Sequence, residues 1–424
     1  MYRFLISCRR TAALFGSHLL GSAPPLLAQT DNRLSIDEAV GIAQGNAPVL
    51  SAALDGARAA RELAVAEGQL PDPVLRLGVD NLPVNGPDQG SLTRDFMTMR
   101  RLGVTQEYVS ADKRALLRQR PEIDATRMDA ARRSLATNLR RDVATAWLDR
   151  YFAIRARELL KTLEAEVGIQ LRTLDSQVRA GKAVPAESPM ASALLLQTRD
   201  RMLVVDRQER LAQIALARWL GKDAERDVAA APNIEILAVN PADPALVASV
   251  PSVREHASES AMAHTDLAIA ESNRRPNWSW ELSYSQRGSA FSNMVSFGVN
   301  IPLTFNAANR QDREIAAKHA QLAQAQASHE DLLRETRTGF ALAYAEWQNL
   351  IERRRRLSEA LLPVARQRID LTMAAYRTGQ GSLASVLESR RAEVEAQLQL
   401  IDLQREAARL WAQLHYVYGE GARP

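Results

Sequence analysis

Long stretches of the chain place apolar and small residues three and four positions apart, which is the period of one face of an α-helix. Arg and Glu occupy the faces between these stripes. The clearest stripes are Ala144, Trp147, Leu148, Tyr151 and Ile154 in the first half of the chain, and Phe340, Tyr344, Trp347, Leu350 and Ile351 in the second. The pattern predicts coiled-coil-like packing of helices rather than a cofactor site.

Two of the helical segments are unusually long. Lys113 to Ala180 and Arg310 to Thr378 each hold about 70 residues, or roughly 100 Å at the rise of an α-helix. Pro121 and Pro363 lie inside these segments. Because proline removes a helical hydrogen bond, we expect each of them to break or kink its helix.

Four shorter segments alternate apolar and polar residues, as a strand with one apolar face does. Trp278, Trp280, Leu282 and Tyr284, for example, alternate with serine and glutamate. The strands are predicted at about residues 73–81, 95–107, 277–287 and 292–303. Each is about the length of a membrane-spanning strand, although half-buried strands of a soluble subdomain would show the same alternation.

A membrane location of these strands would have a consequence for assembly. Four strands cannot close a barrel, and open sheet edges are not tolerated in hydrocarbon. Several chains would have to contribute to one barrel, and three chains would supply twelve strands.

The chain also repeats itself. Arg179-Ala180-Gly181 matches Arg377-Thr378-Gly379, and 379 − 181 gives an offset of 198 residues. The same offset relates Leu220-Gly221 to Tyr418-Gly419. We therefore predict two copies of one unit, over residues 29–235 and 236–424. The predicted helices are about 35–69, 111–180 and 186–221 in the first copy, and 253–275, 307–378 and 383–418 in the second.

Residues 1–28 differ in composition from the rest. Arg3, Arg9 and Arg10 precede an apolar stretch that ends at Ala28, the pattern of a secretory signal peptide. Removal of this segment lowers Lys plus Arg from 54 to 51 against 50 Asp plus Glu, so the net charge falls from +4 to +1. The basic pI of 9.3 is then no argument for binding nucleic acid. The single cysteine, Cys8, leaves with the signal.

The sequence lacks the motifs of the common catalytic sites. No phosphate-binding loop, serine-hydrolase elbow or zinc-binding histidine pair is found, and the remaining histidines are not one helical turn apart. We therefore expect no enzyme activity, no cofactor and no resident metal.

Taken together, these features resemble the TolC family of outer-membrane efflux factors. The shared points are the exported start, the tandem repeat, the two strand pairs and the Arg-x-Gly turn that leads into a Leu-rich helix. The stretches 69–73, 81–84 and 95–99 look most like the heavy-metal branch, the CusC/CzcC-like channels. The N-terminus departs from members of that branch that carry a lipidated cysteine.

The resemblance implies a mainly α-helical protein with a small membrane β part. Long helical hairpins from two repeats would form a periplasmic α-barrel, and a trimer would form a twelve-stranded β-barrel in the outer membrane. Such a homotrimer would work with a periplasmic adaptor and a proton-driven inner-membrane RND pump. Its implied role is a passive exit duct, in the heavy-metal branch for metal cations.

The resemblance also implies roles for individual residues. Gly181 and Gly379, with Arg179 and Arg377, would lie at the periplasmic tips where the adaptor docks. The positions that match the acidic ring of the pore aperture are Ser385 and Glu388, and Glu187 is the counterpart of Ser385 in the first copy. Turn glycines and ordinary surface carboxylates would give the same residues.

Two other functions remain open at this stage. The protein could be an exit duct for drugs or other organic compounds. In a different class, it could be an exported coiled coil that tethers the layers of the cell envelope, and an enzyme with an unrecognised site is a third alternative.

Overall fold

The computed structural model describes residues 32–180, 185–237 and 239–419. Over these residues the protein is mostly helical with one four-stranded antiparallel sheet, which confirms the predicted fold class. The predicted signal peptide at 1–28 lies outside the described residues. Among the helices of the described ranges, none combines the length and the apolar composition needed to cross a bilayer.

The described residues of the first half contribute the α-helices α1 (Ile36–Asn46), α2 (Pro48–Glu67), α3 (Ala111–Arg179) and α4 (Glu187–Leu220). The Ser35 side chain begins α1 by accepting a hydrogen bond of 3.2 Å from the Glu38 amide. The single helix expected over 35–69 is divided in two, because Ala47 is extended and Pro48 starts a new helix.

The second half contributes α5 (Leu246–Ser249), α6 (Pro251–Ser272), α7 (Gln311–Arg356), α8 (Leu362–Arg377) and α9 (Leu383–Gln413). A π-helical turn, Leu357–Leu361, separates α7 from α8, and Pro363 lies in the first turn of α8. In contrast, α3 runs without interruption through Pro121. The helix is thus interrupted by a π-helical turn just before Pro363, with its backbone still helical, whereas Pro121 does not break α3.

The strands are β1 (Val74–Asp80), β2 (Met99–Tyr108), β3 (Trp278–Gln286) and β4 (Met294–Asn300). They lie in the order β1-β2-β3-β4, and every neighbouring pair is antiparallel. The second strand starts later than predicted, because the Asp95 carboxylate accepts hydrogen bonds from the Met97 and Thr98 amides and holds this segment in a turn.

The register gives the sheet two different faces. One face carries cross-strand rows of large apolar side chains, such as Leu75, Val104, Leu282 and Phe297. These side chains are exposed, Phe297 to 68%. The other face carries small and polar residues. An apolar face without a covering layer in the chain itself is what a lipid-facing sheet requires.

The two halves repeat one buried contact. The Trp147 indole N–H donates to the Leu34 carbonyl at 3.0 Å, and the Trp347 indole N–H donates to the Ile234 carbonyl at 3.2 Å. Donors and acceptors differ by the same offset, since 347 − 147 and 234 − 34 both equal 200. The two copies therefore fix their long helices to the preceding segment in the same way.

Helix α9 contacts the long helices of both halves. It packs against α3 and against α7 and α8, whereas α4 packs mainly on α3. The first residues of α4 and α9 lie together, since the Glu187 carboxylate accepts a hydrogen bond from the Leu383 amide. Both helices therefore begin near the end of α3 that is away from the sheet.

Candidate tip and aperture site

Backbone conformation and backbone hydrogen bonds form the turn between α8 and α9. Gly379 has a φ of +77°, a conformation that glycine adopts without strain. The Gln380 amide donates to the Ala375 carbonyl at 2.9 Å and the Gly379 amide donates to the Tyr376 carbonyl at 3.1 Å, which together form a Schellman motif. Among the described residues, no atom lies within 4 Å of the place where a Gly379 side chain would begin, so the outer surface of this turn is open.

Gly381 has a different role from Gly379. A Cβ atom at this position would meet the Ala375 backbone and the Tyr376 amide nitrogen at 3.1 Å. Gly381 therefore lets the chain pass close against the end of α8. This second glycine was not among the predicted site residues, although it follows Gly379 by only two positions.

The turn between α3 and α4 is described in part. Gly181 lies outside the described residues. Arg179 is the last residue of α3 and is exposed, as is Arg377 at the end of α8. Both arginines thus lie at helix C-termini, where a positive charge is favourable.

Ser382 and Ser385 cap the start of α9. The Ser382 hydroxyl accepts a hydrogen bond of 3.3 Å from the Ser385 amide, and the two hydroxyls are 2.8 Å apart. Ser385 is exposed on the first turn of the helix. Its side chain therefore contributes to the cap as well as to the surface of the tip.

Glu187 connects the two repeats. Its carboxylate accepts a hydrogen bond of 3.2 Å from the amide of Leu383, the first residue of α9. The side chain is buried, with 8% of the residue exposed. This acceptor satisfies one of the amides that every helix leaves unpaired at its N-terminus, and its negative charge favours that helix end.

Glu388 lies one turn further along α9 than Ser385 and is exposed. Within the described ranges it has no ion pair. The structure thus brings Ser385, Glu388 and Glu187 to the beginning of α9, with Glu187 bonded to the backbone and Glu388 facing solvent.

Sequence reasoning missed a buried charged cluster farther along α9. Glu393 is 3% exposed and contacts Arg390, while Arg366 of α8 lies 3.5 Å from its carboxylate. Arg390 also binds Glu166 of α3 through two hydrogen bonds of 2.8 and 2.7 Å. The sequence did contain a signal for this cluster. Glu393 follows Val386 by seven residues, or about two helical turns, and so lies on the apolar stripe of α9, where a buried charge is expected to need a partner.

Two tyrosines in the π-helical turn that follows α9, Leu414–Gly419, have shifted titration. Burial raises the pKa of Tyr416 to about 12, and the nearby negative charge of Asp37 acts in the same direction while Arg140 opposes it. Burial also raises the pKa of Tyr418. Both phenols are therefore neutral over the physiological range.

In the part of the chain that the structure describes, no three His, Cys, Asp or Glu side chains come together as metal ligands. The tip residues offer turns, caps and a charged surface. This arrangement suits noncovalent contacts and electrostatics.

Comparison with known proteins gives three findings. Residues 245–420 match the family model described as Outer membrane efflux protein. No curated protein matches the chain. Several solved structures of outer-membrane channels have the same fold over most of the chain.

Three of these structures show the extent of the similarity. CusC, solved in a study of conformational changes that accompany folding and transmembrane channel formation, is 17% identical with a TM-score of 0.73, and the match covers 89% of this chain and 91% of that chain. The outer-membrane channel OprN is 18% identical with a TM-score of 0.78, covering 92% and 91%. The open MtrE outer-membrane channel of Neisseria gonorrhoeae is 16% identical with a TM-score of 0.75, covering 91% and 89%.

The resemblance to TolC-type channels that the sequence indicated is therefore confirmed for the fold. CusC is among the similar structures, but identities of 16–18% to all three do not distinguish a heavy-metal branch from the others.

Proposed function

We propose that the protein is the outer-membrane exit duct of a tripartite efflux system, acting passively and without covalent chemistry. The observation that carries this proposal is the family match over 245–420 in a chain whose four-stranded sheet exposes an apolar face beside a helix, α3, about 100 Å long. The sheet would lie in the outer membrane and the helices would extend into the periplasm.

The edges of the sheet support a homotrimer. β1 and β4 are each paired on one side only. Unpaired strand edges are not stable in hydrocarbon, and joining β1 of one copy to β4 of the next removes them. Three copies would give a closed barrel of twelve strands.

The two turns are proposed as the docking surface for a periplasmic adaptor that connects to an inner-membrane RND pump. At Gly379 the open space around the backbone supports close approach of a partner helix. Arg377 and Arg179 are exposed beside the turns and would attract acidic groups on the adaptor. Gly181 is proposed for the same role by its position in the repeat.

The aperture is proposed to lie at the start of α9. Because the Glu187 carboxylate is engaged by the Leu383 amide, Glu388 is the acidic group available to face a pore. Ser385 would lie in the same ring without charge. Three copies of Glu388 around one axis would favour cations.

Heavy-metal cations are the proposed cargo, because the sequence stretches 69–73, 81–84 and 95–99 resemble the heavy-metal branch of the TolC family. Export of drugs or other organic compounds is the second candidate, because structural similarity at 16–18% identity concerns the fold and does not distinguish one cargo from another.

Conductance in planar bilayers tests the channel. Purified full-length protein should form long-lived cation-preferring channels, and Glu388→Gln should lower the preference for cations. Glu62→Gln, an exposed glutamate on α2 remote from the tips, is the matched control and should leave the currents unchanged. An elongated soluble protein without conductance would overturn the channel and favour the envelope tether.

Growth of a deletion strain separates the two cargoes. Sensitivity confined to copper, silver, zinc, cobalt or cadmium would support metal export. Sensitivity confined to dyes, detergents or antibiotics would overturn metal export and support organic cargo.

A further inference from the structure

A shallow groove lies where the sheet meets the helices. It has a volume of 610 Å³, and its lining combines two arginines with apolar residues of β3 and β4. The lining residues used below are Arg274, Arg275, Trp278, Val299 and Ile301. None of them takes part in the tips or the aperture.

The apolar wall of the groove continues the lipid-facing side of the sheet. Trp280 pairs with Val299 in the register, and Trp278 lies two residues before Trp280 on the same face. Tyr108, opposite Trp278 on β2, contacts its ring with centroids 5.1 Å apart. Tryptophan and tyrosine collect at the boundary between hydrocarbon and headgroups. This end of the apolar face thus has the composition of a membrane interface.

The basic side of the groove comes from the end of α6. The helix stops at Ser272, and the following turn leads through Arg274 and Arg275 to Pro276, which cannot continue a helix. Arg274 contacts Asp312 at 2.8 Å. Arg275 is exposed and, within the described residues, has no carboxylate partner.

Carboxylates line the neighbouring pocket, which shares Trp278, Val299 and Ile301 with the groove. They belong to Asp72 and Glu107. Glu107 accepts a hydrogen bond of 2.7 Å from the Asn277 amide group, and Lys113 donates to the Asn277 side-chain oxygen at 3.2 Å. Among the groove's own lining residues, the charged side chains are the two arginines. Because Arg274 is paired with Asp312, Arg275 is the positive charge that the groove offers to an anion.

We propose that this groove binds an anionic phospholipid of the membrane leaflet nearest the helices. The lipid phosphate would contact Arg275, and an acyl chain would lie along Trp278, Val299 and Ile301. This inference rests on the proposed membrane channel. A water-exposed arginine alone binds a free anion weakly, whereas a lipid also buries apolar surface on the adjoining wall.

Fluorescence quenching by brominated phospholipids tests the site on the full-length protein in mixed micelles. Trp147, Trp347 and Trp411 each donate to a backbone carbonyl within the helical part, whereas Trp278 and Trp280 lie at the sheet. Brominated phosphatidylglycerol should quench the emission at lower mole fraction than brominated phosphatidylcholine. Trp278→Phe should remove most of the quenching difference.

Arg275→Gln should weaken the preference for phosphatidylglycerol about fivefold, which is the effect of one basic residue near a membrane surface. Arg207→Gln, an exposed arginine on α4 in the middle of the helical part, is the matched control and should leave the preference unchanged. An equal preference for phosphatidylglycerol in the unchanged protein and in Arg275→Gln would overturn the site. Loss of the quenching on addition of inorganic phosphate at constant ionic strength would also overturn it, because the groove would then bind a free anion rather than a lipid.

The same measurement separates this inference from the proposed function. Absence of quenching by every brominated lipid would mean that the sheet does not contact a membrane, and both proposals would fail. Equal quenching by both lipids would overturn the phospholipid site and leave the membrane channel standing.

Discussion

The two repeats share one contact and differ along the helix that extends from it. In both copies a buried tryptophan donates to a backbone carbonyl at the same relative position. Beyond this contact, the first copy continues as the single helix α3 to Arg179, whereas the second passes through a π-helical turn between α7 and α8. The shared tryptophan contact anchors the long helices in both copies. The helix beyond this contact differs between the copies, and its course determines where the turn at its end lies.

This difference shows that proline alone does not decide where a helix is interrupted. Pro121 lies inside α3 without ending it, while Pro363 directly follows the π-helical turn, whose wider hydrogen-bonding pattern accommodates a residue without an amide hydrogen. The repeat with the interruption also carries the Schellman turn at Gly379. Substitutions in the two copies can therefore separate what is shared from what is specific.

The largest effect is expected at the shared contact. Trp147→Ala and Trp347→Ala should each lower the free energy of unfolding by about 3 to 5 kcal/mol, because both remove a buried ring and its hydrogen bond. Thermal unfolding followed by near-ultraviolet circular dichroism measures the loss. Trp219→Ala, at a partly buried position whose indole has an arginine above it, is the control with a smaller expected loss. Equal tolerance at all three positions would contradict the anchoring role.

Alkaline pH should affect the second repeat specifically. The repeat offset pairs Tyr418 with Leu220 and Tyr416 with Arg218, so these buried phenols have no counterpart in the first copy. The folded-state pKa of Tyr416 is raised from the ordinary 10.0 to about 12. Its stabilising contribution is therefore complete below pH 10 and is lost as the pH rises through 12.

The loss should reach up to about 3 kcal/mol, since each pKa unit corresponds to about 1.4 kcal/mol. Tyr416→Phe should remove this part of the pH dependence in unfolding experiments between pH 9 and pH 12. Tyr376→Phe, on α8, serves as the control. An unchanged alkaline profile in Tyr416→Phe would show that the phenol ionises equally in the folded and unfolded chains.

A smaller effect is expected where the copies meet at their tips. Glu187→Ala should cost about 1 to 2 kcal/mol, because the Leu383 amide loses its charged acceptor. Hydrogen exchange at the Leu383 amide should accelerate about tenfold, since this amide is then protected only by the remaining structure of the turn. Glu388→Ala, on the exposed side of α9, is the control and should leave this exchange rate unchanged. If the Leu383 amide exchanged as slowly in Glu187→Ala as in the unchanged protein, the contact with Glu187 would contribute nothing to the protection of this amide.

The smallest effect is expected at the Schellman turn. Gly379→Ala should lower the stability by about 1 kcal/mol, since the positive φ strains any side chain even where space is open. Gly379→Asn should cost less, because asparagine tolerates this backbone conformation. Denaturant midpoints of the two variants provide the measurement. A stability loss that is larger for Asn than for Ala would contradict the backbone explanation.

Much of the fold follows from local periodicity. The 3.6-residue stripes predicted the long helices, and alternation predicted the four strands of the described sheet, because both patterns record which face of an element is apolar. The division at Ala47 and the later start of β2 escaped prediction. They depend on Pro48 and on hydrogen bonds that the Asp95 carboxylate accepts from the Met97 and Thr98 amides. Both effects compete with the apolar pattern over only a few residues.

The candidate site was less accessible from sequence. Glu187 was assigned by register to an aperture, but its contact with the Leu383 amide joins residues 196 positions apart, a pairing that depends on how the two hairpins pack. Glu393 was missed for the same reason, since its partners include Arg366 on another helix. In contrast, the Gly379 turn was visible as glycine after a helical run.

The central seam of the sheet has a consequence for the order of folding. Tyr108 of β2 pairs with Trp278 of β3, and 278 − 108 gives a separation of 170 residues. Pairing so distant in sequence forms slowly, because the intervening chain must first be brought together. A newly synthesised chain therefore carries its first hairpin with an unpaired inner strand until β3, in the first part of the second repeat, has emerged. During that interval it depends on protection from aggregation.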